Sequence, residues 1–60
     1  MPLPQFEIYQ DKSEQYRFRL RAPNGEIIAV SEAYKSKGGC ENGIASVKEN
    51  APKAEIQDLT

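Results

Sequence analysis

The chain has 60 residues, a formal net charge of −1, one cysteine and no histidine. A single cysteine excludes an internal disulfide, and the lack of histidine excludes a conventional zinc cluster. No apolar run approaches the ~20 residues needed to span a bilayer, and Met1-Pro2-Leu3-Pro4 lacks the basic and apolar regions of a secretory signal. We therefore expect one domain over residues 1–60, in the cytoplasm, without cofactor or membrane segment.

The small size of the chain predicts self-association. Burying roughly 3,500 Å² of apolar surface supplies about 90 kcal/mol, and ordering a chain of this length costs about 90 kcal/mol as well. Because neither a disulfide nor a metal supplements this balance, oligomerisation is the expected remedy.

The first two predicted strands alternate apolar and polar residues. Residues 5–10 place Phe6 and Ile8 on one face. Residues 15–21 alternate three apolar side chains with three arginines, here called the arginine row. The inward residues are Tyr16, Phe18 and Leu20, and the outward ones are Arg17, Arg19 and Arg21.

A hairpin turn separates the second predicted strand from the third. Pro23-Asn24-Gly25 has the residue types that such a turn prefers. The strand that follows spans residues 26–31. Ile27 and Ile28 lie on opposite faces of it, so periodicity leaves open which isoleucine points inward.

The C-terminal half predicts a helix and a fourth strand. Ser36 is placed to cap a helix over residues 37–50, in which apolar residues recur at helical spacing. Gly43 lies on this apolar stripe, where a missing side chain would let the backbone approach a neighbour closely. Residues 54–59 alternate like a short strand, with Leu59 out of phase. The fold class is therefore α+β, with the order β-β-β-α-β and the helix packed on one face of an antiparallel sheet.

The edge of this sheet predicts how two copies associate. Three strands and one helix leave an exposed strand edge, which native proteins normally cover. Residues 50–53 form a short hinge that contains Pro52. We expect two copies to form a single extended sheet by exchanging residues 54–59.

Motifs throughout the chain form a recognisable set. They are Phe6-Glu7-Ile8-Tyr9, Tyr16-Arg17-Phe18-Arg19-Leu20, Asn24-Gly25-Glu26-Ile27-Ile28 and Asn42-Gly43-Ile44-Ala45-Ser46-Val47-Lys48. Together they resemble the YegP-like family of small uncharacterised bacterial and archaeal proteins. The resemblance implies the same β-β-β-α-β unit, in tandem in longer members and paired with exchanged C-terminal strands in single-unit members. It implies no catalytic residues.

Cys40 is the obvious candidate for a nucleophile. No histidine is available to activate its thiolate, although a lysine near the helix start is an alternative activator. Free cysteine is among the most buried residue types, so we favour a core position. We expect no enzymatic activity.

Two groups of residues are candidates for binding nucleic acid or another anion. The first is the arginine row, with Tyr9 on the neighbouring strand as a stacking platform. The second is the glycine-rich helix start, with Lys35, Ser36 and Lys37. The net charge of −1 and the nearby Glu7 favour a solvated, ion-paired sheet face instead, and Ser36 suits simple capping. We therefore predict a non-enzymatic homodimeric module of unknown role, with weak nucleic-acid or anion binding as the alternative.

Overall fold

The computed structural model describes residues 2–60 as a three-stranded antiparallel sheet with one helix packed on it. Helix α1 spans Lys37–Asn50 and continues into a single 3-10 turn, Ala51–Lys53. In their order across the sheet, the strands are β1 (Gln5–Gln10), β2 (Tyr16–Arg21) and β3 (Ile27–Val30). The α+β class and the first four elements are confirmed. No helix in this part of the chain has the length and apolar character needed to cross a membrane.

The pairing of β1 with β2 gathers apolar side chains on the helix face. Phe6 lies opposite Leu20, and Ile8 lies opposite Phe18. The rings of Phe6 and Phe18 meet edge to face, with their centroids 5.9 Å apart. The alternation predicted for both strands is therefore confirmed.

Two tight turns connect the three strands. At the turn between β2 and β3, Gly25 has a φ of 90° and donates its N–H to the Ala22 carbonyl over 2.9 Å. Glycine adopts this left-handed conformation without steric cost, which confirms the predicted hairpin. Between β1 and β2, Glu14 has a φ of 62° and donates its N–H to the Asp11 carbonyl over 3.0 Å.

A β-bulge in β3 decides which isoleucine faces the helix. Leu20 pairs with Ala29 and Arg21 pairs with Ile27, which leaves Ile28 as the extra residue. Ile27 therefore shares the outer face with Arg21. Ile28 lines a cavity on the helix face together with Leu20.

The start and the middle of α1 are held by specific contacts. Ser36 Oγ accepts the N–H of Gly39 at 3.0 Å, which confirms the predicted N-cap. A β-carbon built on Gly43 would lie 2.8 Å from Tyr34 Cζ and 3.2 Å from Phe18 Cε2. The close approach expected at Gly43 is therefore confirmed, and its neighbours are the rings of Tyr34 and Phe18.

The core of the single chain is small. Within residues 2–60 the buried apolar residues are Phe18 and Cys40, and Cys40 has no exposed surface. The core position predicted for Cys40 is confirmed. Most other apolar side chains remain partly or fully exposed.

The fourth strand predicted over residues 54–59 is absent from the single chain. Ala54 to Thr60 have no regular secondary structure, and each of them is exposed. The 3-10 turn closes with the N–H of Ala54 bonded to the Ala51 carbonyl, and the chain leaves it without meeting a sheet edge. An extended segment becomes a strand only when a neighbouring edge accepts its hydrogen bonds. The neighbour expected from the sequence is a second copy, and the exchange stays a prediction.

Candidate functional site

The arginine row on β2 is paired with two carboxylates on the outer face of the sheet. Arg17 Nε lies 2.8 Å from Asp11 Oδ2. Arg19 Nε and Arg21 Nε lie 2.7 Å and 3.1 Å from the same oxygen of Glu7, Oε1. The pairing suggested for Glu7 is confirmed. The role of Asp11 was not predicted, because the sequence pattern places it only in a turn.

These contacts keep both carboxylates ionised. The hydrogen bonds from Arg19 and then Arg21 lower the pKa of Glu7. The hydrogen bond from Arg17 lowers the pKa of Asp11. In this cluster three arginines face two carboxylates, which leaves one positive charge in excess.

Tyr9, Arg19 and Arg21 make further contacts within the chain, on the surfaces that a nucleic acid would have to use. The guanidinium carbon of Arg19 lies over the Tyr9 ring, 4.8 Å from its centroid. A nucleic-acid base would have to displace this guanidinium to stack on that side of the ring. Arg21 Nη1 donates to the Gly25 carbonyl at 2.6 Å, so this side chain is held at two points.

The residues at the helix start lie near the group formed by Tyr9 and the arginine row at one place in the described part of the chain. The Ser36 hydroxyl already caps α1, and neither Lys35 nor Lys37 forms an ion pair within residues 2–60. Lys37 and Tyr9 both line a shallow cavity of about 330 Å³ at the end of β1. The other lining residues are Ile8, Gln10 and Tyr16. This meeting of one residue from each group could not be read from the sequence, since it depends on where α1 begins relative to the sheet.

The opposite face of the sheet carries a larger apolar surface. Two adjoining cavities of about 310 and 380 Å³ share Phe6, Leu20 and Val47 in their walls. We call them together the apolar groove. Ile28, which is 62% exposed, lines one of them with Ala51.

The groove is open because α1 packs on β2 and leaves the inner face of β3 uncovered. In the part of the chain that the structure describes, the charged residues among its walls are Glu32 in one cavity and Lys48 in the other. The sequence hinted at this groove through Ile27 and Ile28, which place an isoleucine on each face of the third predicted strand. That pattern did not identify the groove, because the position of α1 on the sheet decides which apolar side chains remain uncovered.

Cys40 is not arranged for chemistry. Burial raises the pKa of its thiol, and the charge of Glu41 adds to this effect. A protonated, buried thiol is a poor nucleophile. Among residues 2–60, no group of three or more cysteine, aspartate or glutamate side chains is placed to hold a metal ion.

Comparisons with known proteins place this geometry in a family. The family described as "Domain of unknown function (DUF1508)" matches residues 11–58. A UPF0339 protein of Treponema denticola is 61% identical over 54 residues, which cover 90% of this chain and 93% of the relative. The UPF0339 protein YegP of Yersinia pestis is 51% identical over 59 residues, which cover 98% of this chain and 53% of the relative. The NMR solution structure of a protein from Haloferax volcanii is 42% identical and matches with a TM-score of 0.89, covering 98% of this chain and 100% of that one.

The relatives fall into two lengths. This chain spans nearly all of the Treponema relative and about half of YegP from Yersinia. The longer relative therefore has room for a second unit of the same size. The resemblance to YegP-like proteins noted in the sequence motifs is confirmed.

Proposed function

We propose that this chain, which belongs to the DUF1508 (UPF0339) family, is a non-enzymatic module that acts as a homodimer. The two copies exchange residues 54–59, so that each C-terminal segment adds a strand to the sheet of the other copy. One observation carries the proposal: the apolar groove is open to solvent, and the segment available to cover it projects into solvent as well. Ile56 is 99% exposed and Leu59 is 87% exposed.

The energetics of the exposed side chains favour pairing. Ile28, Ile56 and Leu59 are exposed in each copy, which makes six such side chains in a symmetric dimer. Burying each contributes about 1.5–3 kcal/mol, or about 9–18 kcal/mol together. Association costs about 4–15 kcal/mol in lost freedom of motion. The gain is an upper value, since Ile28 is already partly buried, and it is comparable with the cost of association, which supports a dimer.

Several features support a non-enzymatic role. The thiol of Cys40 is buried and protonated, and the carboxylates of Glu7 and Asp11 are bound to arginines. The family and the relatives named above carry no enzymatic name. The cytoplasmic location stays a prediction from the sequence.

Light scattering at micromolar concentration tests the homodimer. We expect the full chain to show twice the 6.7 kDa mass of one copy. A version ending at Ala54 keeps the hydrogen bond that closes the 3-10 turn and loses nearly all of the exchanged segment, so it should be monomeric or unfolded. A full chain that is a folded monomer contradicts the proposal. A shortened chain that remains dimeric and equally stable contradicts it too.

Weak nucleic-acid or anion binding is the competing proposal. The cavity that joins Tyr9 with Lys37 favours it, and the ion pairs of the arginine row oppose it. A mobility-shift assay with single-stranded RNA and DNA at low salt separates the two proposals. Retardation that weakens steeply with salt and is lost in Arg17→Ala/Arg19→Ala or in Lys37→Ala would support binding. We expect no such retardation.

A further inference from the structure

We infer that Asn24 is a site of spontaneous deamidation, which converts it to aspartate and isoaspartate through a cyclic succinimide. The sequence contains two Asn-Gly pairs, Asn24-Gly25 and Asn42-Gly43. Glycine lacks the side chain that would hinder the approach of its own nitrogen to the preceding amide, so the sequence alone gives both pairs the same reactivity. The folded environments of the two pairs differ, and this difference selects Asn24.

The reaction needs water and no other partner. The backbone nitrogen of Gly25 loses its proton and attacks the side-chain carbon Cγ of Asn24, and the new C–N bond closes the succinimide ring. The bond from Cγ to Nδ2 then breaks, and the amide nitrogen takes up a proton and leaves as ammonia. Water opens the ring at either carbonyl carbon, which gives aspartate or, where the main chain now runs through Cγ, isoaspartate.

The turn between β2 and β3 prepares the side chain of Asn24 for this attack. Asn24 Oδ1 accepts the N–H of Glu26 at 3.0 Å, a bond that folds the side-chain amide back over the peptide containing the Gly25 nitrogen. Negative charge develops on the same Oδ1 while this nitrogen adds to Cγ. A backbone N–H that is already directed at the oxygen stabilises that charge.

The attacking nitrogen is held by a hydrogen bond in an exposed turn. The N–H of Gly25 donates to the Ala22 carbonyl at 2.9 Å, and this bond has to open before the attack. Asn24 and Gly25 are both exposed. In the described part of the chain, no heavy atom beyond the adjacent residues lies within 4 Å of a β-carbon built on Gly25. A turn with so few neighbours opens at a small cost in free energy.

The second pair is protected by the helix. Asn42 is exposed as well, so the exposure of the asparagine does not separate the two pairs. Gly43, however, lies inside α1, where its N–H belongs to the hydrogen-bond ladder of the helix. The rings of Tyr34 and Phe18 also pack against it. Its nitrogen can reach Cγ of Asn42 only when this part of α1 unfolds.

The products change the charge and the length of the turn. Either product adds a carboxylate at position 24, next to the Gly25 carbonyl that accepts Arg21 Nη1 at 2.6 Å. Isoaspartate also adds a main-chain carbon inside the turn, which the N–H of Ala22 closes by donating to the Glu26 carbonyl at 2.7 Å. We expect this extra atom to loosen the start of β3, beside the bulge.

Peptide mapping by mass spectrometry tests the assignment. Trypsin cuts after lysine and arginine, so Asn24 falls in the peptide 22–35 and Asn42 in the peptide 38–48. The full chain is incubated at mildly alkaline pH, either folded or in urea, and the deamidated fraction of each peptide is followed with time. We expect similar rates for the two peptides in urea. In the folded chain Asn24 should react about tenfold faster than Asn42 or more, since a turn opens at a lower cost than a helix interior.

The products provide an independent check on the route. Asn24→Asp supplies the reference for the aspartate product, and the deamidated peptide 22–35 should separate into this species and a second one that contains isoaspartate. A single aspartate product would show direct hydrolysis of the amide by water and would refute the attack by Gly25. Equal protection of the two pairs in the folded chain, or faster deamidation of Asn42, would overturn the assignment to Asn24.

Discussion

Replacing Gly43 with alanine tests how closely α1 packs on the sheet. The new β-carbon would lie 2.8 Å from Tyr34 Cζ and 3.2 Å from Phe18 Cε2. Carbon atoms pack best at about 3.5–4.0 Å, so at least one ring must move. Tyr34 is held at its backbone by two hydrogen bonds with Tyr16, of 2.7 and 2.8 Å, and its ring stacks on Phe18. The shift therefore disturbs the most buried aromatic residue of the chain.

Gly38→Ala is the matched control for this change. Alanine is about 1 kcal/mol better than glycine inside a helix, and both positions lie in α1. No heavy atom beyond the helix's own backbone and the adjacent residues lies within 4 Å of a β-carbon on Gly38, in the described part of the chain. Gly38→Ala thus keeps the helix-propensity gain, whereas Gly43→Ala also has an overpacking cost of about 1–3 kcal/mol. We expect Gly43→Ala to be less stable than Gly38→Ala by about 1–3 kcal/mol.

Thermal unfolding followed by circular dichroism measures this difference. Each kcal/mol corresponds to about 4–8 °C in the Tm of a domain of this size. All variants must be compared at one chain concentration, because the Tm of a dimer depends on it. Tyr34→Phe removes the hydroxyl nearest to the new methyl group, so the penalty of Gly43→Ala should shrink in that background. Equal stability of Gly43→Ala and Gly38→Ala would refute the packing argument.

Three further predictions follow from the cap, the ion pairs and the thiol. Ser36→Ala should lower the free energy of unfolding by about 1 kcal/mol in urea titrations, and Ser36→Asp should retain most of it, since aspartate also caps helices. Arg19 and Arg21 lower the pKa of Glu7 in the folded state, so the stabilisation from this pair is complete above the ordinary glutamate pKa of 4.5 and is lost as the pH falls through the folded value. Glu7→Gln should therefore flatten the dependence of the urea midpoint on pH in this acid range, and an unchanged slope would contradict the pairing. The buried thiol of Cys40 should react with a thiol probe only as fast as the chain unfolds, and rapid labelling in native buffer would show that it is accessible.

The elements that the sequence predicts well are those fixed by local pattern. Phe6 and Ile8 alternate with polar residues in β1, and the apolar residues of β2 match them across the register. The Ser36 cap depends on residues within one helical turn of it. Because the determinants of these elements are close in the sequence, alternation and capping rules are sufficient to place them.

The features that the sequence did not predict depend on distant parts of the chain. The bulge in β3 decides that Ile28, and not Ile27, lines the apolar groove, and no period of two can encode an extra residue. Asp11 pairs with Arg17 because the turn between β1 and β2 returns the chain beside itself. Lys37 lines the same cavity as Tyr9 only because α1 begins beside the end of β1. Each of these features needs the tertiary arrangement before it can be recognised.

Residues 54–60 show that an alternating sequence is not sufficient to form a strand. Its alternation specifies an extended conformation, but a strand also requires hydrogen bonds to a neighbouring edge, and in the single chain the segment pairs with neither edge strand of the sheet. Ile56 and Leu59 therefore stay in solvent, and their apolar surface contributes no burial energy to the fold of the single chain. In a relative of about twice this length, such as YegP of Yersinia, a second unit in the same chain would be present at a high effective concentration. In the proposed homodimer the second unit belongs to a separate chain, so the apolar groove and the exchanged segment would have to hold it without that advantage in concentration.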